Sequence, residues 1–214
     1  MGLMINKVEK VLWFSKGEIE MKVRNSSQIV DIYGRADTEG KIRIVLDNYI
    51  TFMNMVNAYE DGLIDEIKEE RMTNRRLRHG DLGVRVQTSG YSNPTSSEGE
   101  EDVEVETAVK AGDYITALRG ADCYDYHKAE IVTLRNMRHD FVRVCQQFGA
   151  AGKDGKLFER YLLQEFDLID IADTEGLTID AVKQRFRRVR KIITEGASRW
   201  IKKSDEYFVM KKGA

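Results

Sequence analysis

"IADTEGLTIDAVKQRFRRVRK", from Ile171 to Lys191, sets one glycine between two segments of apolar periodicity and then turns abruptly basic. Two helices that meet at a sharp angle need a small residue where they approach and a glycine that accepts a left-handed turn. They also need an apolar residue in the second helix to lock the crossing. Ala172, Gly176 and Val182 supply these at offsets of four and six. Leu177 follows the turn as a plug for the small core, and the Thr178 hydroxyl is placed to cap the second helix at a free backbone N–H. The spacing predicts a helix-turn-helix over about residues 157–193, with Ile171, Ala172, Gly176, Leu177, Val182, Phe186 and Val189 as its core.

A helical wheel divides the second helix. At about 100° per residue, Val182, Phe186, Val189 and Ile193 fall within one narrow sector, the face expected to be buried. Asp180, Gln184, Arg187, Arg188 and Lys191 lie opposite, with Lys183 at the flank. From Lys183 to Lys191 there are six basic residues and no acidic one. A helix entering the major groove needs this division, because Lys and Arg neutralise phosphates while a few side chains reach base edges. The expected DNA-binding set is therefore Thr178, Asp180, Lys183, Gln184, Arg185, Arg187, Arg188 and Lys191. Gln184 suits adenine, and Arg187 or Arg188 suits guanine or phosphate. Asp180 repels phosphate, yet accepts from cytosine or favours the helix N-terminus.

Working outward, the chain reads as all-α. It holds a single proline, Pro94, in 214 residues, which argues for long uninterrupted helices rather than a turn-rich β architecture. Residues 1–78 form an N-terminal helical region: Val8, Val11 and Leu12 mark a short first helix. One longer pattern runs through Ile42, Val45, Tyr49, Met53, Val56, Leu63 and Ile67. Such helices pair with each other or with a second copy of the chain, so a homodimer through this region is expected. Residues 79–107 carry turn residues throughout and six acidic side chains between Glu98 and Glu106, which predicts a flexible acidic linker with a brief extended "GVRVQ" segment. Residues 108–204 are helical again. Ile131, Leu134, Phe141, Val144 and Phe148 line one long helix that stops near "GAAGKDG", and Leu157, Tyr161, Leu162, Phe166, Leu168 and Ile171 carry two short ones. Trp200 and Ile201 anchor the helix end, and residues 205–214 form a tail.

The remaining chemistry is sparse. Two cysteines make no disulfide framework, no apolar run approaches the roughly 20 residues that span a bilayer, and no secretory pattern opens the chain. A soluble, intracellular (cytoplasmic) protein with no membrane association is expected. Phosphate-cradling glycine loops, nucleophile elbows and metalloprotease helices are lacking, so neither enzyme activity nor a cofactor is expected. Cys123, His127, His139 and Cys145 can be written as a zinc quartet. On one continuous helix, however, the twelve residues from His127 to His139 cover about 18 Å, too far to share a metal whose ligands sit at about 2 Å. No metal site is expected.

"DIADTEGLTIDAVKQRFRRVRKII" resembles the region 4 helix-turn-helix of sigma-70-type factors. Ile171, Ala172, Gly176, Val182, Lys183, Arg185 and Phe186 match that family's pattern, whereas Thr174 and Glu175 stand where it usually has apolar residues. No segment looks like the promoter-opening region 2. The order of an N-terminal helical segment with "KVEKVLWFSKGEIE", charged helices, a linker with "VRVQTSGYSNPT" and a terminal helix-turn-helix is similar to phage and prophage late transcription regulators of the RinA and ArpU type. That resemblance implies an activator of late phage genes that binds double-stranded DNA and works with the host RNA polymerase.

Two other readings fit parts of the chain. A phage small terminase subunit also combines a helix-turn-helix with oligomerising helices, but usually places the DNA-binding unit toward the N-terminus. A helical protein-interaction module would use the basic face on an acidic partner, or on its own block from Glu98 to Glu106 as an autoinhibitory contact.

Overall fold

The computed structural model describes residues 26–79 and 94–212, with the backbone alone described at 26–27, 78–79, 94–98 and beyond residue 201. Among the described residues every regular element is a helix, and there are nine: α1 (Ser26–Arg35), α2 (Thr38–Asp47), α3 (Phe52–His79), α4 (Pro94–Ala111), α5 (Tyr114–Ala117), α6 (Tyr124–Ala150), α7 (Gly152–Leu162), α8 (Leu168–Glu175) and α9 (Ile179–Lys212). The all-α expectation holds. The expected first helix at Val8, Val11 and Leu12 and the extended "GVRVQ" segment lie outside the described residues.

α6 is the axis of the bundle. Its residues Ile131, Leu134, Met137, Val144 and Phe148 are buried, at the spacing of one helical face. α9 lies along it, with α7, α1 and α3 packed around it. The crossing of α6 and α9 is close at Gly196, where an added Cβ would stand 2.2 Å from Gln147 Oε1. The core is continuous from Ile29 on α1 to Ile201 on α9.

Two expectations about organisation change. The periodic run from Ile42 to Ile67 is broken into α2 and α3 at Asn48. This residue is buried and turns its amide Nδ2 back to the Ile44 carbonyl at 2.7 Å, while its own carbonyl accepts from Phe52 N at 2.7 Å. Asn48 thus satisfies backbone groups left open by the end of one helix and the start of the next. The α1–α3 region is also not set apart from the C-terminal half. α1 packs on α6, and α2 packs on both α6 and α9. Arg190 on α9 pairs with the largely buried Asp47 of α2. Of the two pairings expected for these helices, with each other or with a second copy, the burial of Ile42, Val45, Val56 and Ile67 within this chain matches the first.

The stretch read as an acidic linker is helical from Pro94 onward. Proline suits the first helical position, where its missing N–H would have no partner. Val105, Ala108 and Val109 then bury one face against the bundle. The acidic residues are shared out along the helix: Glu101 pairs with Arg75 of α3, Glu104 lies 3.8 Å from Arg119, and Glu106 pairs with Lys110 one turn on. Like charges that would keep an isolated segment extended are compensated here by neighbours. Gly112, in the left-handed region at φ +72, ends the helix, and Asp113 N donates to the Ala108 carbonyl.

Candidate nucleic-acid interface

α8 begins with a reciprocal cap. The Asp167 carboxylate accepts from the backbone N–H of Ile169 and Asp170, and Asp170 returns a bond to Asp167 N at 3.0 Å. The helix ends at Gly176, which adopts φ 64, ψ 36 and donates its N–H to the Ala172 carbonyl; Leu177 N donates to the same oxygen at 2.9 Å. The glycine is there for its backbone, since a Cβ would meet nothing within 4 Å. Thr178 Oγ1 then accepts from Ala181 N at 3.2 Å, which caps the start of α9.

Behind this turn the side chains close a small core. Ile171, Ala172, Val182, Phe186 and Val189 are buried, and Leu177 is half-buried against them. Phe186 sits between the rings of Phe158 and Tyr161 of α7, at centroid distances of 5.0 and 5.1 Å. All four side chains of the expected buried sector, including Ile193, are covered. Each apolar side chain fully buried this way stabilises the fold by roughly 1.5–3 kcal/mol, so the orientation of α9 about its own axis is firmly held.

The polar residues divide into two groups. Thr178, Asp180, Gln184, Arg187, Arg188 and Lys191 are exposed. Lys183 and Arg185 are turned toward the protein, with side-chain exposures of 16% and 28%. Arg185 lies 3.4 Å from Asp154 of α7 and 3.2 Å from Glu175 of α8, and Lys183 lies 3.6 Å from Asp180. Arg185 thus joins three helices instead of standing with the outward cations. On the exposed face, Arg188 Nε bonds weakly to the Gln184 carbonyl at 3.5 Å, and Lys191 lies 3.8 Å from Glu195. The side chains there that extend into solvent are long, cationic or amide-bearing, which suits phosphate and base-edge contact.

The two positions that depart from the sigma pattern have polar solutions. Thr174 returns its hydroxyl to the Asp170 carbonyl at 2.7 Å. Glu175 is ion-paired to Lys153 at 3.1 Å and to Arg185. Those two cations, Lys153 first, hold its carboxyl below the usual range. This ion-pair network ties α8 to α7 and α9. Beside it, Lys153, Lys156, Arg160, Phe166, Asp170 and Thr174 border a shallow cavity of about 250 Å³. Arg160 caps the Phe166 ring at 4.2 Å.

α9 does not stop near residue 193 but continues to Lys212. Ile201 is buried, while Trp200 is half-exposed with the Arg143 guanidinium over its ring at 5.2 Å. The residues expected to form a separate tail continue the helix backbone as far as Lys212. Periodicity missed Asp154, in the first turn of α7, and Glu175, the last residue of α8, as the partners that withdraw Arg185.

Cys123, His127, His139 and Cys145 are not all brought together. His127 and His139 both lie on the uninterrupted α6, His139 is exposed, and Cys145 faces Tyr49 at 3.5 Å. No helix among the described residues is long and apolar enough to cross a membrane. Compared with known proteins, the chain matches no family model, no curated protein and no solved structure.

Proposed function

We propose that the chain is a sequence-specific double-stranded DNA-binding transcriptional regulator that docks the exposed face of α9 in the major groove. The observation that carries this reading is the division of that helix. Val182, Phe186, Val189 and Ile193 are locked into the core, while Gln184, Arg187, Arg188 and Lys191 stand outward on a helix entered through a left-handed glycine. Arg187, Arg188 and Lys191 neutralise phosphates, and Gln184, nearer the helix start, reads a base edge. Lys183 and Arg185 leave the DNA-contacting set and become supports. Asp180 lies at the first turn of α9, where its charge suits the helix end and disfavours close phosphate approach.

The role as an activator of late phage genes acting with host RNA polymerase rests on the resemblance of the Ile171–Ile193 motif and of the chain's order. In that role, DNA docking raises the local concentration of polymerase at a promoter. Selection from a pool of duplex genomic fragments tests the reading. One fragment class is enriched by the wild-type protein, and Gln184→Ala blurs the preference while retaining affinity. Failure to retain any duplex at low salt contradicts it, and assigns the basic face to an acidic protein partner.

A further inference from the structure

Away from α9, the C-terminal half of α3 meets the start of α6, and three chemically different donors converge there. Cys123 is the residue preceding α6 and His127 lies one turn into it, so the two side chains face the same way. Glu70 approaches from α3. Its Oε1 lies 3.2 Å from His127 Nε2, and one donor atom from each of the three residues falls within 4.8 Å of the others. A tetrahedral zinc with bonds of about 2.0–2.3 Å holds its ligand atoms about 3.3–3.6 Å apart. The three donors thus need only small side-chain adjustments to close on one ion.

The surroundings are those of a built site. His127 is buried, and its other nitrogen, Nδ1, is 3.0 Å from Glu130 Oε2. Glu130 is itself buried and receives the Tyr59 hydroxyl. This carboxylate–histidine pair fixes the ring and directs Nε2 at Glu70, as a supporting carboxylate does for a metal-binding imidazole. The second oxygen of Glu70 accepts from Asp122 N at 3.0 Å, so the carboxylate is also oriented. Cys123 is exposed and opens the cluster to solvent.

We propose that Glu70, Cys123 and His127 bind one zinc ion, with the fourth coordination position open to water, and that the ion staples α3 to the start of α6. Thiolate, imidazole and carboxylate together suit zinc, whereas calcium and magnesium require oxygen donors throughout. Binding forms Zn–S, Zn–N and Zn–O bonds and releases the thiol proton to solvent. The site is independent of DNA binding by α9. Sequence spacing pairs Cys123 with His127 but gives no reason to bring in Glu70, 53 positions upstream of Cys123.

The test uses untagged full-length protein stripped with a chelator and titrated with cobalt(II) as the spectroscopic stand-in for zinc. One equivalent should develop thiolate-to-cobalt charge-transfer absorption, and zinc should then displace it. Cys123→Ser should abolish the band, Cys145→Ser should keep it, and Glu130→Gln should weaken binding about 10–100-fold. Zinc should also raise the melting temperature of the wild type but not of Cys123→Ser. Cys123 is exposed, so this variant folds even if changes at Glu70 or His127 do not. Absence of the band and of any zinc-dependent melting shift overturns the site, leaving His127 hydrogen-bonded between two carboxylates. Binding that persists unchanged in Cys123→Ser overturns it equally.

Discussion

Arg185 of α9 and Glu175 of α8 are joined across the helix junction, Nη1 to Oε2 at 3.2 Å, with Asp154 of α7 on the other side of the guanidinium. The arginine therefore holds α9 against α7 and α8 and does not stand on the exposed face of α9. Arg185→Ala should lower the melting temperature more than Arg187→Ala, because only Arg185 is ion-paired to carboxylates of two neighbouring helices, Asp154 and Glu175, the latter keeping Lys153. It should leave the salt dependence of DNA binding unchanged at temperatures where the variant is folded. Thermal denaturation and a salt series on both variants check this.

The same network gives a pH dependence. Lys153 and Arg185 depress the Glu175 carboxyl in the folded protein. The stabilisation it provides is therefore full above the ordinary carboxylate range and is lost as pH falls through the lowered folded value. Glu175→Gln lacks this group, so the difference in melting temperature between wild type and variant should be present at neutral pH. It should shrink toward pH 3, as followed by circular dichroism. A difference that grows on acidification would contradict the assigned pairing.

Two glycines should respond differently to alanine. Gly176 occupies the left-handed region with open space around its α-carbon, so Gly176→Ala costs only the backbone strain, about 1–2 kcal/mol. At Gly155 an added Cβ would stand 2.1 Å from the Phe148 carbonyl oxygen, where α7 passes the end of α6. Backbone must move there, and Gly155→Ala should be the more destabilising of the two. Urea denaturation of both variants ranks them.

Phe186 links α9 to α7 through Phe158 and Tyr161. Truncation to alanine should cost about 3–5 kcal/mol, the range for a buried phenylalanine. DNA affinity should fall with it, because α9 loses the contact that fixes its exposed face. Denaturant midpoints and binding at low temperature separate the two effects.

Much of this arrangement was legible in the chain. The buried sector of α9, the left-handed Gly176 and the Thr178 cap follow from spacing, because a helix repeats every 3.6 residues and only glycine takes that turn readily. α6, α7 and α8 were legible for the same reason. The split at Asn48 was not, since a side chain that bonds its own backbone leaves the apolar period unbroken. Helix α4 was hidden by six acidic residues, three of which, Glu101, Glu104 and Glu106, are compensated by Arg75, Arg119 and Lys110 in the folded chain. The inward turn of Arg185 was likewise beyond periodicity. Its position on the wheel lies between the two faces, and Asp154 and Glu175 decide which way it goes.

The most direct measurement is the salt dependence of duplex DNA binding for the wild type, Arg185→Ala and the double variant Arg187→Ala/Arg188→Ala. Docking through the exposed face of α9 predicts that log affinity falls linearly with log salt. The double variant should reduce the slope by about 2, one for each lost phosphate contact, and Arg185→Ala should keep the wild-type slope. A wild-type protein that binds no duplex at low salt, or a double variant with an unchanged slope, would contradict the assignment of that face to DNA.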